Sequence, residues 1–347
     1  MKYLIYGAYG YTGKLIVAEA IKRGHQPVLA GRDPYALQQV ANTYDLESIA
    51  FELSDEEKLH SVLKRFDLVL HAAGPYSATA RPMIQACLKT KTHYIDITGE
   101  IEVFEYIASK HQAALEAGIV MLPGAGFDVV PTDCMAAFLK QQLPDATQLE
   151  MGFKGGSKLS RGTALTMTES LHKGGAIRKD GKIISVPNAY KSRNWEIDSK
   201  SVSFVSIPWG DVSTSYHSTG IGDIVLYMAA PPKLIHRMKK MDKFRWFLGL
   251  KLVQSFMKSR VRKKVKGPDD NHRSTTRSII WGEVSNDKGE TVQAMLNVPE
   301  GYTLTALTSV TSAERILKGE LEPGFYTPSK AFGSDFILDF DSKRTIG

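Results

Sequence analysis

Cysteine is nearly missing: 347 residues contain only Cys87 and Cys134, and neither stands in a CxxC or His-linked spacing. So few thiols exclude a disulfide framework and fit a reducing cytoplasm, with both thiols structural. The nine histidines offer no HxxxH or HExxH pair, so no metal site is expected. Long apolar runs are also lacking. The longest, residues 244–257, is interrupted by Arg245 and Lys251 and is too short to span a bilayer. A secretory leader is not expected, because the first residues already read as a strand and a glycine turn. No nucleic-acid motif or aromatic stacking platform is present, so nucleic acid is not an expected partner.

Charge is present but unevenly spread. The net charge is +7, yet residues 233–273 hold fourteen Lys or Arg against Asp242, Asp269 and Asp270, leaving the remainder of the chain at −4. Within 233–266, Leu234, Met238, Met241, Phe244, Phe247, Leu248, Val253 and Phe256 interleave with the basic residues in a helical rhythm. This reads as an amphipathic basic helix or helix pair. It either packs with a solvated cationic face or meets anionic lipid or an acyl substrate.

The organising stretch is the first one. Residues 2–6 form a strand-type run, residues 14–23 have helical spacing, and Gly7, Gly10 and Gly13 lie between them. Strand, glycine turn and helix in this order make a dinucleotide-binding βαβ unit, whose backbone N–H groups and helix N-terminus receive a pyrophosphate. Tyr9, Tyr11 and Thr12 share the turn. A second strand, 26–31, delivers Arg32 where an NAD enzyme would place a ribose-binding acid. Asp33 followed by Pro34 reads as a helix cap, so the basic Arg32 favours NADP, pairing with the 2′-phosphate and stacking on adenine. Asp55 either reaches adenine or caps the helix after it.

Further strands at 48–53, 67–71, 93–98 and 119–122 alternate with helices, two of them expected at 81–89 and 101–117, the alternation of a parallel sheet covered on both faces. The strand at 67–71 runs into Ala72, Ala73, Gly74, Pro75 and Tyr76, small residues suited to ribose and nicotinamide at a strand end. The fifth ends at Thr98, Gly99 and Glu100, and the sixth at residues 123–133, where Asp128 and Asp133 crowd a glycine- and proline-shaped turn. Asp133 or Thr132 reads as a cap for a helix at 135–142, whereas Asp128 is the better candidate for touching substrate or ordering the site. Tyr106 and Lys110 have the YxxxK spacing of a catalytic pair, but one such pair is expected by chance in about this length of chain.

Beyond residue 143 the pattern changes to strands at 148–153, 182–186, 201–207, 224–229, 275–284 and 291–298 among a few helices, an α+β domain with a mostly antiparallel sheet. A hairpin is expected at 286–289, and a glycine- and serine-rich stretch at 155–162, either a plain flexible loop or a turn that presents the N-terminus of the following helix to an anion, precedes a helix at 163–172. The expected organisation is a doubly wound Rossmann domain at 1–143, an α+β domain at 144–302 and a C-terminal helical segment at 303–347.

These landmarks together resemble the saccharopine dehydrogenase-like oxidoreductases, including the trans-acting enoyl reductases. The resemblance is carried by GAYGYTG at 7–13, AGR at 30–32, AAGPY at 72–76, YIDITGE at 94–100 and GAGFDVVPTD at 124–133. SRGTALT at 160–166 and the run from Tyr302 to Gly333 extend it over nearly the whole chain. It implies an NADP-binding Rossmann domain, a second domain that covers the nicotinamide and often supports dimerisation, and a C-terminal segment returning to the first domain. No arginine clamp points to an amino-dicarboxylate substrate.

The sequence therefore reads as a cytoplasmic NADP(H)-dependent reductase of a C=O, C=N or activated C=C bond in a small-molecule substrate. Tyr76, Glu100 and Asp128 are the candidate catalytic groups, and a homodimer is the expected assembly. The rival reading is a non-catalytic NADP-binding sensor or membrane-surface scaffold.

Overall fold

The computed structural model describes residues 2–155, 160–197, 200–265 and 267–346. The chain forms two units, Met1–Val130 with Gly301–Phe332, and Pro131–Glu300 with Gly333–Gly347. In the first, strands and helices alternate as β1 (Tyr3–Tyr6), α1 (Tyr11–Lys22), β2 (Val28–Gly31), α2 (Pro34–Tyr44), β3 (Ser48–Ala50) and α3 (Glu56–Leu63). They continue as β4 (Leu68–His71), α4 (Tyr76–Thr90), β5 (His93–Asp96), α5 (Ile101–Ala108), α6 (His111–Ala117) and β6 (Val120–Leu122).

The sheet is parallel in every pairing, in the order β6-β5-β4-β1-β2-β3, and a two-residue strand, Gly324–Phe325, adds itself beside β6. Each central strand is buried on both faces, as a sheet with helices above and below requires. Leu4 and Tyr6 pack with Val69, Ile84 and Tyr94 on one side, and Ile5 packs with Ile16, Leu29, Leu70 and Val310 on the other.

Three local expectations shift. Helix α4 begins at Tyr76, not near residue 81, because the Glu100 carboxylate accepts the amides of Tyr76 and Ser77 at 2.9 and 2.8 Å. The helix expected over 101–117 breaks in two where Ser109 Oγ donates to the Tyr106 carbonyl at 2.7 Å, competing with helical hydrogen bonding. Tyr106 thus lies on α5, while Lys110 is the residue before α6, its Nζ 5.3 Å from the Tyr106 ring centroid. The helix expected from residue 135 is α7 (Val130–Gln142), which puts Thr132 and Asp133 inside its first turn.

The second unit continues with β7 (Gln148–Lys154), α8 (Arg161–Ser170), β8 (Gly175–Lys179), β9 (Lys182–Val186), β10 (Ser192–Ile197), β11 (Lys200–Ser206), α9 (Asp211–Thr219) and β12 (Asp223–Ala229). Then come α10 (Pro232–Asp242), α11 (Arg245–Leu248), α12 (Lys251–Lys264), α13 (Asp270–Thr275), β13 (Arg277–Ser285) and β14 (Thr291–Pro299). The main path of its sheet is β10-β11-β12-β7-β13-β14, extended by the strand Lys343–Ile346, with β8 joining β12 to β9. Within this sheet only β12 and β7 pair in parallel among the described strands, so it is mixed and mostly antiparallel. The hairpin after β13 closes as expected, with Asn286 Oδ1 accepting the amides of Lys288 and Glu290. Of the glycine-serine turn, residues 156–159 lie outside the described residues. Helix α8 after it is capped by Ser160, whose Oγ accepts the Thr163 amide at 3.2 Å.

Helix α7 crosses this second sheet closely: a Cβ on Gly282 would sit 2.7 Å from Leu139 Cδ1 and 3.0 Å from Met135 Cγ. The division between units therefore falls at 130/131 and not at 143/144. The chain after residue 300 also divides. Helix α14 (Gly301–Leu317) joins the first unit, and Lys343–Ile346 joins the second unit's sheet.

On another part of that sheet Trp195 and Trp281 stack at 3.8 Å, with the Arg193 guanidinium over both rings. Gly152 makes room for Trp195, since a Cβ there would lie 2.6 Å from Cζ3. Gly152→Ala is expected to lower stability by about 1–3 kcal/mol through overpacking, read from urea midpoints.

Candidate functional site

Because the first sheet is wholly parallel, the turns leaving β1, β2, β4, β5 and β6 all open along one edge, the carboxyl edge where ligands bind in such folds. The strand order reverses between β1 and β4, and the glycine turn meets the segment after β4 at this point. A Cβ on Gly7, whose φ is +90°, would lie 2.8 Å from Ala72 C and from Ala73 N and Cβ. The Gly7 amide donates to the Ala30 carbonyl at 2.8 Å, and the Ala72 amide to the Tyr6 carbonyl at 2.7 Å, which ties the turn to both neighbouring strands. A Cβ on Gly13 would fall 2.2 Å from the Gly7 carbonyl oxygen, so α1 can press onto the turn only with glycine there. Gly10 precedes α1 without a side-chain cap, and the first turn of α1 holds no acid.

The neighbouring helices differ. Asp33 caps α2 through the Ala36 amide, Asp55 caps α3 through the Lys58 amide, and Glu100 closes the start of α4. Of these four helices, α1 alone keeps its positive end without a carboxylate. This is the arrangement an anionic phosphate fits. Tyr9 lays its ring over the end of β2, where a Cβ on Gly31 would lie 2.4 Å from Cε1, and Arg32 follows, exposed. Tyr11 meets Tyr302 of α14 edge-on at 4.9 Å, and Thr12 sits in the first turn of α1. Turn, Arg32, Ala73, Gly74 and Pro75 are brought to the same edge. Asp55 is committed to its helix cap.

A second set of groups gathers at the ends of β4, β5 and β6. Asp96, fully buried, accepts the Tyr94 hydroxyl at 2.6 Å, the Thr98 amide at 3.0 Å and the Gly124 amide at 2.8 Å. Burial raises its pKa to about 6 while those three donors pull it back. By joining β5 to the 123–128 turn it sets Asp128 against Gly99, where a Cβ would lie 3.0 Å from Asp128 Oδ2. Asp128 keeps partial exposure, yet the protein packed around it strips water from the carboxylate and pushes its pKa up to about 7. Helix α14 holds the same turn from behind. Thr305 Oγ1 accepts the Phe127 amide at 3.0 Å, and Thr308 Oγ1 donates to the Ala125 carbonyl at 2.8 Å.

Tyr76 is buried and donates its hydroxyl to the His71 carbonyl at 3.2 Å, and desolvation holds it protonated. Glu100 caps α4 rather than the helix that follows it. His71, which sequence reasoning did not single out, is wholly buried among Tyr6, Tyr76 and Tyr94. Its Nε2 lies 3.1 Å from the Ala73 carbonyl and from Thr79 Oγ1, and burial lowers its pKa to about 4. Asp96 was missed likewise, because an acid at the end of an apolar strand carries no spacing signal. Among the described residues no cluster of three metal-ligating side chains occurs.

These pKa directions fix a pH dependence. With Asp128 raised to about 7 and Asp96 to about 6, the folded chain keeps protons that the unfolded chain releases near pH 4. Both groups therefore remove stability as pH rises through those values. His71 acts oppositely, removing stability as pH falls from about 6.5 toward 4. Asp128→Asn is expected to gain stability relative to the parent chain as pH rises through about 7. Urea midpoints at pH 5, 6, 7 and 8 check this, and a constant difference across the series would contradict the assignment.

Residues 3–122 match the family described as the saccharopine dehydrogenase NADP binding domain. The saccharopine dehydrogenase-like oxidoreductase of Mus musculus is 28% identical over 160 residues, covering 40% of this chain and 37% of that protein. A trans-acting enoyl reductase of Mycobacterium leprae is 33% identical over 139 residues, covering 38% of this chain and 33% of that protein. The aligned regions thus span little more than a third of those relatives' lengths. Among solved structures, the apo saccharopine dehydrogenase (L-Glu forming) of Saccharomyces cerevisiae aligns over 99% of both chains with a TM-score of 0.68 at 13% identity, a likeness of fold. Residues 3–122 are thus similar in sequence to a nicotinamide dinucleotide-binding domain of the saccharopine dehydrogenase type, and the chain as a whole shares the fold of a saccharopine dehydrogenase.

Proposed function

We propose that the protein is an NADP(H)-dependent reductase acting on a C=O, C=N or activated C=C bond of a small-molecule substrate. The observation that carries this reading is the carboxyl edge of the first sheet. There the carboxylate-free N-terminus of α1 and the exposed Arg32 stand on one side, and a carboxyl group that titrates near neutrality stands on the other. The fit to the cofactor rests on the cradle itself: Gly7 and Gly13 let backbone approach where a Cβ would collide, Gly10 leaves only a tight fit for one, and Arg32 supplies a guanidinium where a 2′-phosphate lies in this kind of fold. Bound nicotinamide dinucleotide supplies the hydride chemistry.

The chain's own groups bind and orient. The α1 turn receives the pyrophosphate, with Tyr9, Tyr11 and Thr12 around it, and residues 73–75 line the nicotinamide side. Asp128, whose pKa burial pushes up to about 7, exchanges a proton near neutrality, which suits it to polarise a substrate heteroatom. Tyr76 and Glu100 act as positioning residues in this reading, since Glu100 fixes the start of α4 and Tyr76 packs beneath residues 71–75. The proposal extends to a cytoplasmic homodimer. Two buried, unpaired thiols support the reducing compartment.

Calorimetric titration of nucleotide-stripped protein is expected to give tighter binding of NADPH than of NADH. Arg32→Asp should weaken NADPH at least tenfold while leaving NADH within about threefold, in keeping with loss of a charge-assisted phosphate contact. Equal loss of both nucleotides would overturn the role of Arg32, and binding of neither would overturn the reductase.

A further inference from the structure

The second unit carries a surface that the cofactor edge does not use. The segment running from α10 to α12 holds eight of the fifteen exposed large apolar side chains among the described residues: Leu234, Met241, Phe244, Trp246, Phe247, Leu250, Leu252 and Phe256. They concentrate at the turn around α11, where Phe244 is 62% exposed, Trp246 69% and Leu252 85%. A water-facing turn gains nothing from such residues, and an apolar cluster of this kind marks a contact site.

The segment is not loosely attached. Gln254 is buried and donates Nε2 to the carbonyls of Thr168 and Leu248 at 3.1 and 2.7 Å, and Lys258 pairs with Glu169 at 2.6 Å. At the other end Asp242 accepts the Asn188 amide at 2.8 Å, and Ile235 is buried. Helix α12 therefore turns its 253–254, 257–258 and 261 side inward at helical spacing. Leu252, Phe256, Arg260 and Lys263 are left facing outward.

Charge decides the occupant. From residue 233 to 264 there are twelve Lys or Arg and one acid, and that acid, Asp242, is already engaged. Lysines spread among exposed aromatic and leucine side chains are what protein–protein contact cores avoid, whereas interfacial helices combine these two residue classes. Tryptophan at the edge of such a patch suits the headgroup level of a bilayer. Among the described residues no helix is long and apolar enough to cross a membrane.

We propose that the α10–α12 face docks this protein on the surface of an anionic lipid bilayer, with Phe244, Trp246, Phe247, Leu250 and Leu252 entering the acyl boundary and the surrounding lysines and arginines meeting lipid phosphates. The docked protein stays peripheral. The face lies wholly in the second unit, and its role is independent of the reductase reading.

The experiment is cosedimentation of the full chain with vesicles of 30% phosphatidylglycerol in phosphatidylcholine, and with pure phosphatidylcholine vesicles, at low and high salt. Binding to the anionic vesicles is expected to exceed binding to the neutral ones at least tenfold and to weaken at high salt. The triple variant Trp246→Ser, Phe247→Ser, Leu252→Ser keeps every basic residue and changes only exposed positions. It should lose at least tenfold in vesicle binding with an unchanged circular dichroism spectrum and unchanged nucleotide affinity. Brominated acyl chains should quench the tryptophan emission of the parent chain, and Trp246→Phe should remove that quenching.

No binding to anionic vesicles, or binding that the triple variant retains, overturns the proposal. Self-association in lipid-free solution that the triple variant abolishes also overturns it, and assigns the face to a second copy of this chain.

Discussion

One buried carboxylate does much of the positioning in the first unit. Asp96 gathers a hydroxyl and two backbone amides from three places in the chain, Tyr94, Thr98 and Gly124, and its own carbonyl accepts the Ala125 amide at 2.8 Å. A carboxylate without those donors would be costly at that depth, and with them it makes the ends of β5 and β6 a single piece. Asp128, Gly99 and Glu100 inherit their places from that junction, and through Glu100 so does the start of α4. The candidate chemistry therefore depends on an acid that need not touch any ligand.

Electrostatic economy explains why the cofactor edge is shaped as it is. Acids along this part of the chain are spent on the N-termini of α2, α3 and α4, where backbone amides hold them. Helix α1 is left without such a partner, and the adjacent strand end carries Arg32. Positive potential accumulates where phosphate groups would lie, while the acid with the raised pKa sits farther along the same edge. Separating the two by strand ends lets one edge hold an anion and still present a neutral carboxyl group.

What the sequence made legible was local. The strand, glycine turn and helix at the N-terminus read correctly because each signal lies within a few residues of the next, and Asp33 with Pro34 announced α2 in the same way. The start of α4 was illegible because its cap comes from Glu100, twenty-four residues later, while Pro82 reads as a first-turn residue. The strand Gly324–Phe325 is too short for any periodicity to show, and its place is set by hydrogen bonds to Ile119 and Met121. Asp128 was a candidate by its position, but its raised pKa depends on packing from Gly99 and its neighbours that no spacing encodes. For α10–α12 the pattern announced an amphipathic basic segment. Only the structure shows which of its apolar residues Gln254 and Ile235 take inward and which are left outside.

The interleaved order of the two units has a consequence for synthesis. Helix α14 braces α1 through Arg23 and His25, which meet Glu314 at 3.2 and 2.7 Å, and it holds the 125–127 turn. At about 5–20 residues per second, the stretch from the end of β6 to the end of α14 takes on the order of 10–40 s to synthesise. During that interval the nascent first unit has its β1–β6 sequence but neither its bracing helix nor its last edge strand. The edge of β6, later covered by Gly324–Phe325, stays open to other chains for the same period. A nascent-chain chaperone that shields this edge would be guarding the step at which the protein is most exposed to misassembly.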